Sequence, residues 1–201
     1  MFHSDLMRAL ETRVGPDWTE YKPGWAQIHT TEWRGPKKVP QALVLHHTAA
    51  AATDSTSAAH KGNQKGANDG VISFIQSHYP VPAANFTLDR DGTIYVHAAY
   101  PIWHAGLGSF RGVGPWNTLG IPDNLGNNYM LGVEIMSKGL KKDFTAAQWD
   151  SLKYLLLACK DACGWPHIDL LRRPQHRDWA PTRKVDIKYT NEEVRAELLA
   201  V

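Results

Sequence analysis

Ala42-Leu43-Val44-Leu45-His46-His47-Thr48-Ala49 sets four apolar residues directly before two histidines and a threonine. Such an unbroken apolar run has the pattern of a strand buried on both faces, as at the centre of a parallel sheet. A strand that stops at paired imidazoles delivers a ligand to a rigid edge. Histidine is the commonest protein ligand for zinc, and a site held on a strand end is better fixed than one on a loop. The same residues also fit a plainer arrangement, with one histidine capping the strand and the other exposed. The stretch therefore takes its meaning from partners elsewhere in the chain.

The 201 residues are enough for one ordinary domain, with or without an appended arm, and enough to bury a core. At 43 % hydrophobic and 21 % charged the composition is globular. A net charge of +2 argues against nucleic acid, whose binders carry a concentrated basic stripe, and is compatible with approach to an anionic polymer. No run approaches the roughly 18 apolar residues of a membrane span, so no membrane insertion is expected. Met1-Phe2-His3-Ser4-Asp5 lacks the charged start and apolar core of a signal peptide, which leads to the expectation of a protein made in a cytoplasm and kept there until something releases it. Cys159 and Cys163 lie four apart on the same helical face as Trp149, Leu152, Leu155, Leu156 and Ala162. That places them in a core rather than in a disulfide or a metal site, and Gly164 and Pro166 end the helix before His167 could join them.

Taken in order, residues 1 to about 14 read as a short amphipathic helix on Leu6, Met7, Leu10 and Val14. Residues 17–40 are rich in Trp, Pro and Gly without sustained period; with the first helix they are expected to form an N-terminal arm, residues 1–40, anchored by aromatics on the domain of residues 41–201, and the same pattern also fits a partner-binding segment. The small, polar residues 49–69 read as a loop beside His46, and residues 70–79 as a helix stopped by Pro80 and Pro82. Asn85-Phe86-Thr87-Leu88 and Thr93-Ile94-Tyr95-Val96-His97 alternate about Asp89-Arg90-Asp91-Gly92, the pattern of a hairpin. A long Gly- and Pro-rich loop follows Trp103-His104-Ala105-Gly106 up to Asn128. Met130 to Met136 has the apolar pattern of a second central strand, and Glu134 is embedded in it. A carboxylate there is costly unless paired, bonded or used. Residues 144–163 read as a helix capped by Asp143 or Thr145, and residues 191–200 as a last helix capped by Thr190 or Asn191. Strands interleaved with helices, one pair of them antiparallel, define an α/β fold with a central mixed sheet flanked by helices.

Three separated features then offer one chemistry: His46 at a strand end, Glu134 in a second strand, and His176 with Asp186 in a late loop. Zinc in a hydrolase takes three protein ligands and keeps a fourth position for water, and His46, His176 and Asp186 would supply such a set. Glu134 could move a proton between water and a leaving nitrogen. Lys184 lies two residues before Asp186, so on an extended segment the two point the same way, and its ammonium could face an oxyanion. Each residue also has a structural use: His176 could bond a backbone carbonyl, Asp186 could pair with Arg183, and Glu134 could sit in an ion pair.

Several motifs in this order resemble the zinc-dependent N-acetylmuramoyl-L-alanine amidases shared by bacteriophage endolysins, bacterial muropeptide amidases and animal peptidoglycan recognition proteins. They are the strand ending His46-His47-Thr48-Ala49; Asn85-Phe86 before Arg90-Asp91-Gly92-Thr93; Trp103-His104-Ala105-Gly106; Leu131-Gly132-Val133-Glu134-Ile135; and His176-Arg177-Asp178 before Arg183-Lys184-Val185-Asp186. The resemblance spans residues 41–187. It implies the fold of that family, one Zn2+ per chain on His46, His176 and Asp186, Glu134 as the catalytic carboxylate and Lys184 near the scissile carbonyl. It also implies a substrate groove with His104 in its lining, and Asn85, Trp103 and His47 as further substrate-binding candidates. The chain departs from the pattern in three places. Ala84 stands where some phage members carry a catalytic tyrosine, Asp186 where phage and animal members often use Cys, and Ile187 where Pro is common.

The resemblance implies hydrolysis of the amide between N-acetylmuramic acid and the L-alanine of peptidoglycan; separately, a monomer is expected. The lack of a signal peptide suits a phage endolysin that reaches the wall through a membrane pore, and equally a cytoplasmic muropeptide-recycling amidase. A non-catalytic peptidoglycan-binding module and a metal-dependent nuclease are the competing readings. Because imidazoles bind metal only when neutral, activity is expected to fall below about pH 6.

Overall fold

The computed structural model describes residues 2–14, 18–20, 39–49, 74–75, 82–166 and 172–199. Among these, five strands form one mixed sheet: β1 (Trp18–Glu20), β2 (Ala42–His47), β3 (Phe86–Leu88), β4 (Ile94–Val96) and β5 (Met130–Ile135), in spatial order β1-β4-β3-β5-β2. β2 and β5 run parallel, with Ala42 opposite Met130 and His46 opposite Glu134. Apart from His46, His47 and Glu134 near their ends, both are built of apolar residues and glycine because both faces of this pair are covered. Leu43, Leu45, Leu131, Val133 and Ile135 enter one core, whereas Ala42, Val44 and Met130 enter a second one on the opposite face. β3 pairs antiparallel with β4 and parallel with β5. Gly92 closes the hairpin at φ +89°, and a Cβ there would stand 2.9 Å from the Ala147 carbonyl oxygen.

The larger core lies under helices α1 (Phe2–Val14), α3 (Ala146–Cys163) and α5 (Asn191–Leu199). α1 packs along α3, burying Leu6 and Leu10 completely, and Arg13 pairs with Asp161 at 2.7 Å. Each such leucine contributes about 1.5–3 kcal/mol of burial, so the first helix is part of the domain's core. Thr145 caps α3 in a reciprocal box with Gln148, while Thr190 and Glu193 exchange the equivalent bonds at α5. Cys159 and Cys163 are free thiols on α3, Cys159 being buried in this core.

The smaller core is built in large part by the Gly- and Pro-rich segment whose sequence predicts one long loop. It contains a 3₁₀ helix at Gly114–Leu119 and a single helical turn, α2 (Gly126–Tyr129). Phe110, Trp116 and Leu119 pack there with Ala105 and with Trp179 of the short helix α4 (His176–Trp179). β1, at the sheet edge, falls within the segment expected to be an arm; a three-residue strand carries too little periodicity to show in the sequence. Most of the remaining Trp-rich arm (residues 21–38), the polar residues 50–69 and most of the helix expected at residues 70–79 lie outside the described residues, as does His167. Phe74 and Ile75 are helical.

Candidate active site

Side chains alternate along a strand, so His46 shares the face of Ala42 and Val44, and Glu134 shares that of Met130 and Gly132. Because His46 and Glu134 are also register neighbours, both project from the sheet face that carries the smaller core, at its open end. On the far side of β2 the chain runs parallel to it again through a bridge between Leu45 and Gln175, with the Leu45 N–H donating to Pro174 O at 2.9 Å. This sets His176, the next residue, beside His46, and their rings lie 4.3 Å apart. Asp186 is brought back by two ties: Arg177 N–H donates to Asp186 O at 3.2 Å, and Ile187 N–H donates to the Gln175 side chain at 3.3 Å. The peptide bond between Asp186 and Ile187 is cis.

One nitrogen or oxygen from each of His46, His176 and Asp186 falls within 4.8 Å of the others, and all three residues are buried. Asp186 Oδ2 stands 3.6 Å from His46 Nδ1 and 3.4 Å from His176 Nδ1, too far for tight hydrogen bonds. The protons of both rings are accounted for on their other nitrogens. His176 Nε2 lies 2.9 Å from Ala105 O, which can only accept, so its Nδ1 carries a lone pair and has no hydrogen-bond partner among the described residues. His104 Nε2 lies 3.0 Å from Met130 O, so His104 Nδ1 is an acceptor; it takes the proton of His46 Nε2, 3.1 Å away. His46 Nδ1 then also presents a lone pair. Burial lowers the His46 pKa to about 4, against the opposing pull of Asp186, and the ring is neutral at physiological pH. Burial would raise the Asp186 carboxyl, but the imidazoles beside it outweigh that and hold it well below the usual carboxylate range.

Two nitrogen lone pairs and a carboxylate oxygen thus converge with no donor among them, an arrangement that calls for a cation. A tetrahedral ion with bonds of about 2.0–2.1 Å sets its ligand atoms roughly 3.3–3.4 Å apart, close to the 3.6 and 3.4 Å that separate Asp186 Oδ2 from the two imidazole nitrogens. His46, His176 and Asp186 could therefore hold a metal.

Glu134 is half-buried, with Oε2 sealed from solvent and without a hydrogen-bond partner among the described residues. Burial first, and the Asp186 carboxylate second, raise its pKa to about 8, with Lys184 pulling the other way. Lys184 itself is half-exposed, at the turn where its backbone N–H donates to Ala180 O at 2.9 Å. Its charge acts on both Glu134 and His46.

The remaining candidates fare differently. Asn85 is fully buried and its amide is saturated, accepting from Gly132 N–H at 2.8 Å and donating to the Ala98 and Tyr100 carbonyls. It ties β5 to the chain beyond β4, with both its N–H groups and its oxygen engaged inside the protein. His47 is turned by strand alternation to the face opposite His46, and its ring lies against Gly139, where a Cβ would come within 2.1 Å. Both ring nitrogens of His104 are engaged inside the protein rather than offered to a groove. Trp103 remains 48 % exposed, beside His104. Arg183 donates to Leu107 O at 2.6 Å and leaves Asp186 to the histidines. Glu134 forms no ion pair among the described residues.

Two positioning residues carried no signal in the sequence. Gln175 is fully buried and binds Tyr189 O, Asn191 and Ile187 N–H, joining the His176 segment to the Asp186 segment. Asn127 accepts the N–H groups of His104, Ala105 and Gly106 on one oxygen, and so fixes the Ala105 carbonyl that orients His176.

The sequence profile of the N-acetylmuramoyl-L-alanine amidases matches residues 36–188, and the chain belongs to that family. It is accordingly an N-acetylmuramoyl-L-alanine amidase, a hydrolase acting on peptidoglycan. No curated protein matches it in sequence. Among solved structures it resembles a selenomethionine derivative of AmpD, at 21 % identity and a TM-score of 0.53 over 79 % of this chain and 84 % of that one. It also resembles the endolysin LysCS, an N-acetylmuramoyl-L-alanine amidase from Clostridium intestinale, at 18 % identity and a TM-score of 0.52 over 91 % of this chain and 95 % of that one. AmpDh3 from Pseudomonas aeruginosa, solved in complex with anhydromuramic pentapeptide, is similar at 20 % identity and a TM-score of 0.53 over 83 % of this chain and 64 % of its own. Among the described residues no helix is long and apolar enough to cross a membrane.

Proposed function

We propose that the chain is a zinc-dependent amidase in which His46, His176 and Asp186 hold the metal and Glu134 and Lys184 serve the reaction. The observation that carries this is the trio of converging lone pairs, with both imidazole protons committed elsewhere and a carboxylate opposite them. Zinc, when bound, supplies a Lewis acid that acidifies water and polarises the scissile carbonyl. Glu134 accepts the proton of the attacking water and passes it to the leaving nitrogen of L-alanine, while the C–N bond breaks and the lactyl group leaves as a carboxylate. Its elevated pKa suits the second half of that exchange, and positive charge at the trio draws it back towards neutrality for the first half. Lys184 turns its ammonium towards the oxyanion formed on attack. Trp103, 48 % exposed, is the aromatic candidate for contact with the sugar or peptide of a muropeptide substrate.

A lytic, phage-endolysin role is the biological reading we favour, because the likeness to LysCS runs over nearly the whole of both chains. In that role the enzyme reaches the wall from the host cytoplasm through a membrane pore. Incubating wild type and Glu134→Ala with purified sacculi and with soluble muropeptides tests both levels. Clearing of sacculi with release of intact stem peptides by wild type alone is expected. Activity retained by the variant refutes the mechanism, and activity confined to soluble muropeptides moves the protein to a recycling role.

A further inference from the structure

His104 reaches the trio through a gap in the side chains of β5. A Cβ built at Gly132 would stand 2.5 Å from His104 Nδ1 and 2.6 Å from its Cγ, so the imidazole rests on bare backbone at that position. From this seat it donates through Nε2 to Met130 O and receives His46 Nε2–H through Nδ1. The two rings meet edge to face, with centroids 5.3 Å apart. The far anchor, Met130 O, belongs to the same central strand that carries Glu134, and the loop bearing His104 is pinned by Asn127.

We propose that His104, seated on Gly132, is a positioning residue that fixes the tautomer and ring orientation of His46, so that the His46 Nδ1 lone pair faces the metal. The consequence follows from the two ring nitrogens of a neutral imidazole being one donor and one acceptor. Without an acceptor at Nε2, the His46 proton can move to Nδ1, where Asp186 Oδ2 stands 3.6 Å away ready to accept it. A ligand protonated at Nδ1 must surrender that proton before it can bind. Partners of this kind change metal affinity by about 10–100-fold when removed. The inference rests on reading His46 as a metal ligand, and it assigns His104 to the far side of that ligand rather than to the substrate.

The test has two readouts. Long-range proton–nitrogen correlation spectra of metal-free, labelled wild type should show His46 and His104 both protonated at Nε2. In His104→Phe the His46 ring should become a mixture of tautomers or switch to Nδ1–H. An unchanged single Nε2–H tautomer in that variant overturns the proposal, as does Nδ1–H in the wild type. Competition with a chelator should then show zinc bound about 10–100-fold more weakly by His104→Phe and by Gly132→Ala, which displaces the ring without altering it. His104→Gln, whose amide oxygen can accept from His46, should recover part of the loss. Native-like spectra separate this from unfolding, and unchanged affinity in a folded His104→Phe or Gly132→Ala overturns the proposal. If wild type bound no zinc at all the metal reading would fall, while the metal-free tautomers would still decide the role of His104.

Discussion

Glu134→Gln removes an ionisable group at almost constant shape, and its effect on stability should change with pH in one direction. In the metal-free protein burial, aided by Asp186, raises the Glu134 carboxyl from 4.5 to about 8. The unfolded chain loses this proton near pH 4.5, whereas the folded chain keeps it to about pH 8. Between those limits the folded state binds more protons, so each pH unit of rise costs the folded wild type about 1.4 kcal/mol. Over the whole window that amounts to at most about 5 kcal/mol. One edge of the carboxyl faces solvent, and screening reduces the expected figure to about 2–3 kcal/mol. Glutamine has no such titration, and the contributions of His46 and Asp186 are common to both proteins and cancel in the difference. Urea unfolding in the presence of chelator should therefore show the variant gaining on wild type from pH 5 to pH 8 and holding a constant advantage above it. A difference that does not vary with pH, or that shrinks as pH rises, refutes the burial of an uncompensated carboxyl at this position.

Other substitutions probe the frame around the trio. Leu10→Ala should destabilise the protein by about 2–5 kcal/mol, since α1 is part of the larger core, and a loss below 1 kcal/mol in denaturant titration would show it to be dispensable. Asn85→Ala strands the Gly132 N–H and two carbonyls, and should cost about 2–4 kcal/mol in the same titration; a raised substrate KM with wild-type stability would instead point to a binding role. Burial holds His46 neutral down to about pH 4, so protonation of this ligand should not release zinc at pH 6, as checked by chelator-free dialysis and metal analysis. Half-release at pH 6.5, the ordinary histidine value, would mean that burial does not protect the ligand.

The parts of the fold legible in the sequence are those whose signal is local. β2 and β5 announce themselves as apolar runs, the β3–β4 hairpin by Gly92, and α3 by its period and its Thr145 cap. The trio was legible as a set of residue types in the right order, because ligands at strand and loop ends keep their spacing along the chain. What the sequence withheld was direction. His46 and His47 are equivalent as neighbours, and only alternation on a strand paired with β5 turns one towards Asp186 and the other towards Gly139. Asn85 and His104 were visible as motif residues, yet their partners, Gly132, Ala98, Tyr100, Met130 and His46, lie on other segments. Gln175 and Asn127 left no trace at all, since their work consists of bonds between distant loops. The short elements within residues 106–128 form because Phe110, Trp116 and Leu119 pack on Trp179, a tertiary cause that no local pattern reports.

The measurement closest to the central claim is metal content of the purified protein paired with mass spectrometry of peptidoglycan digested with and without chelator. The account predicts about one zinc per chain, lost in Asp186→Ala, and free stem peptides beginning at L-alanine only when the metal is present. Stem peptides released at full rate by chelated, zinc-free protein would contradict it.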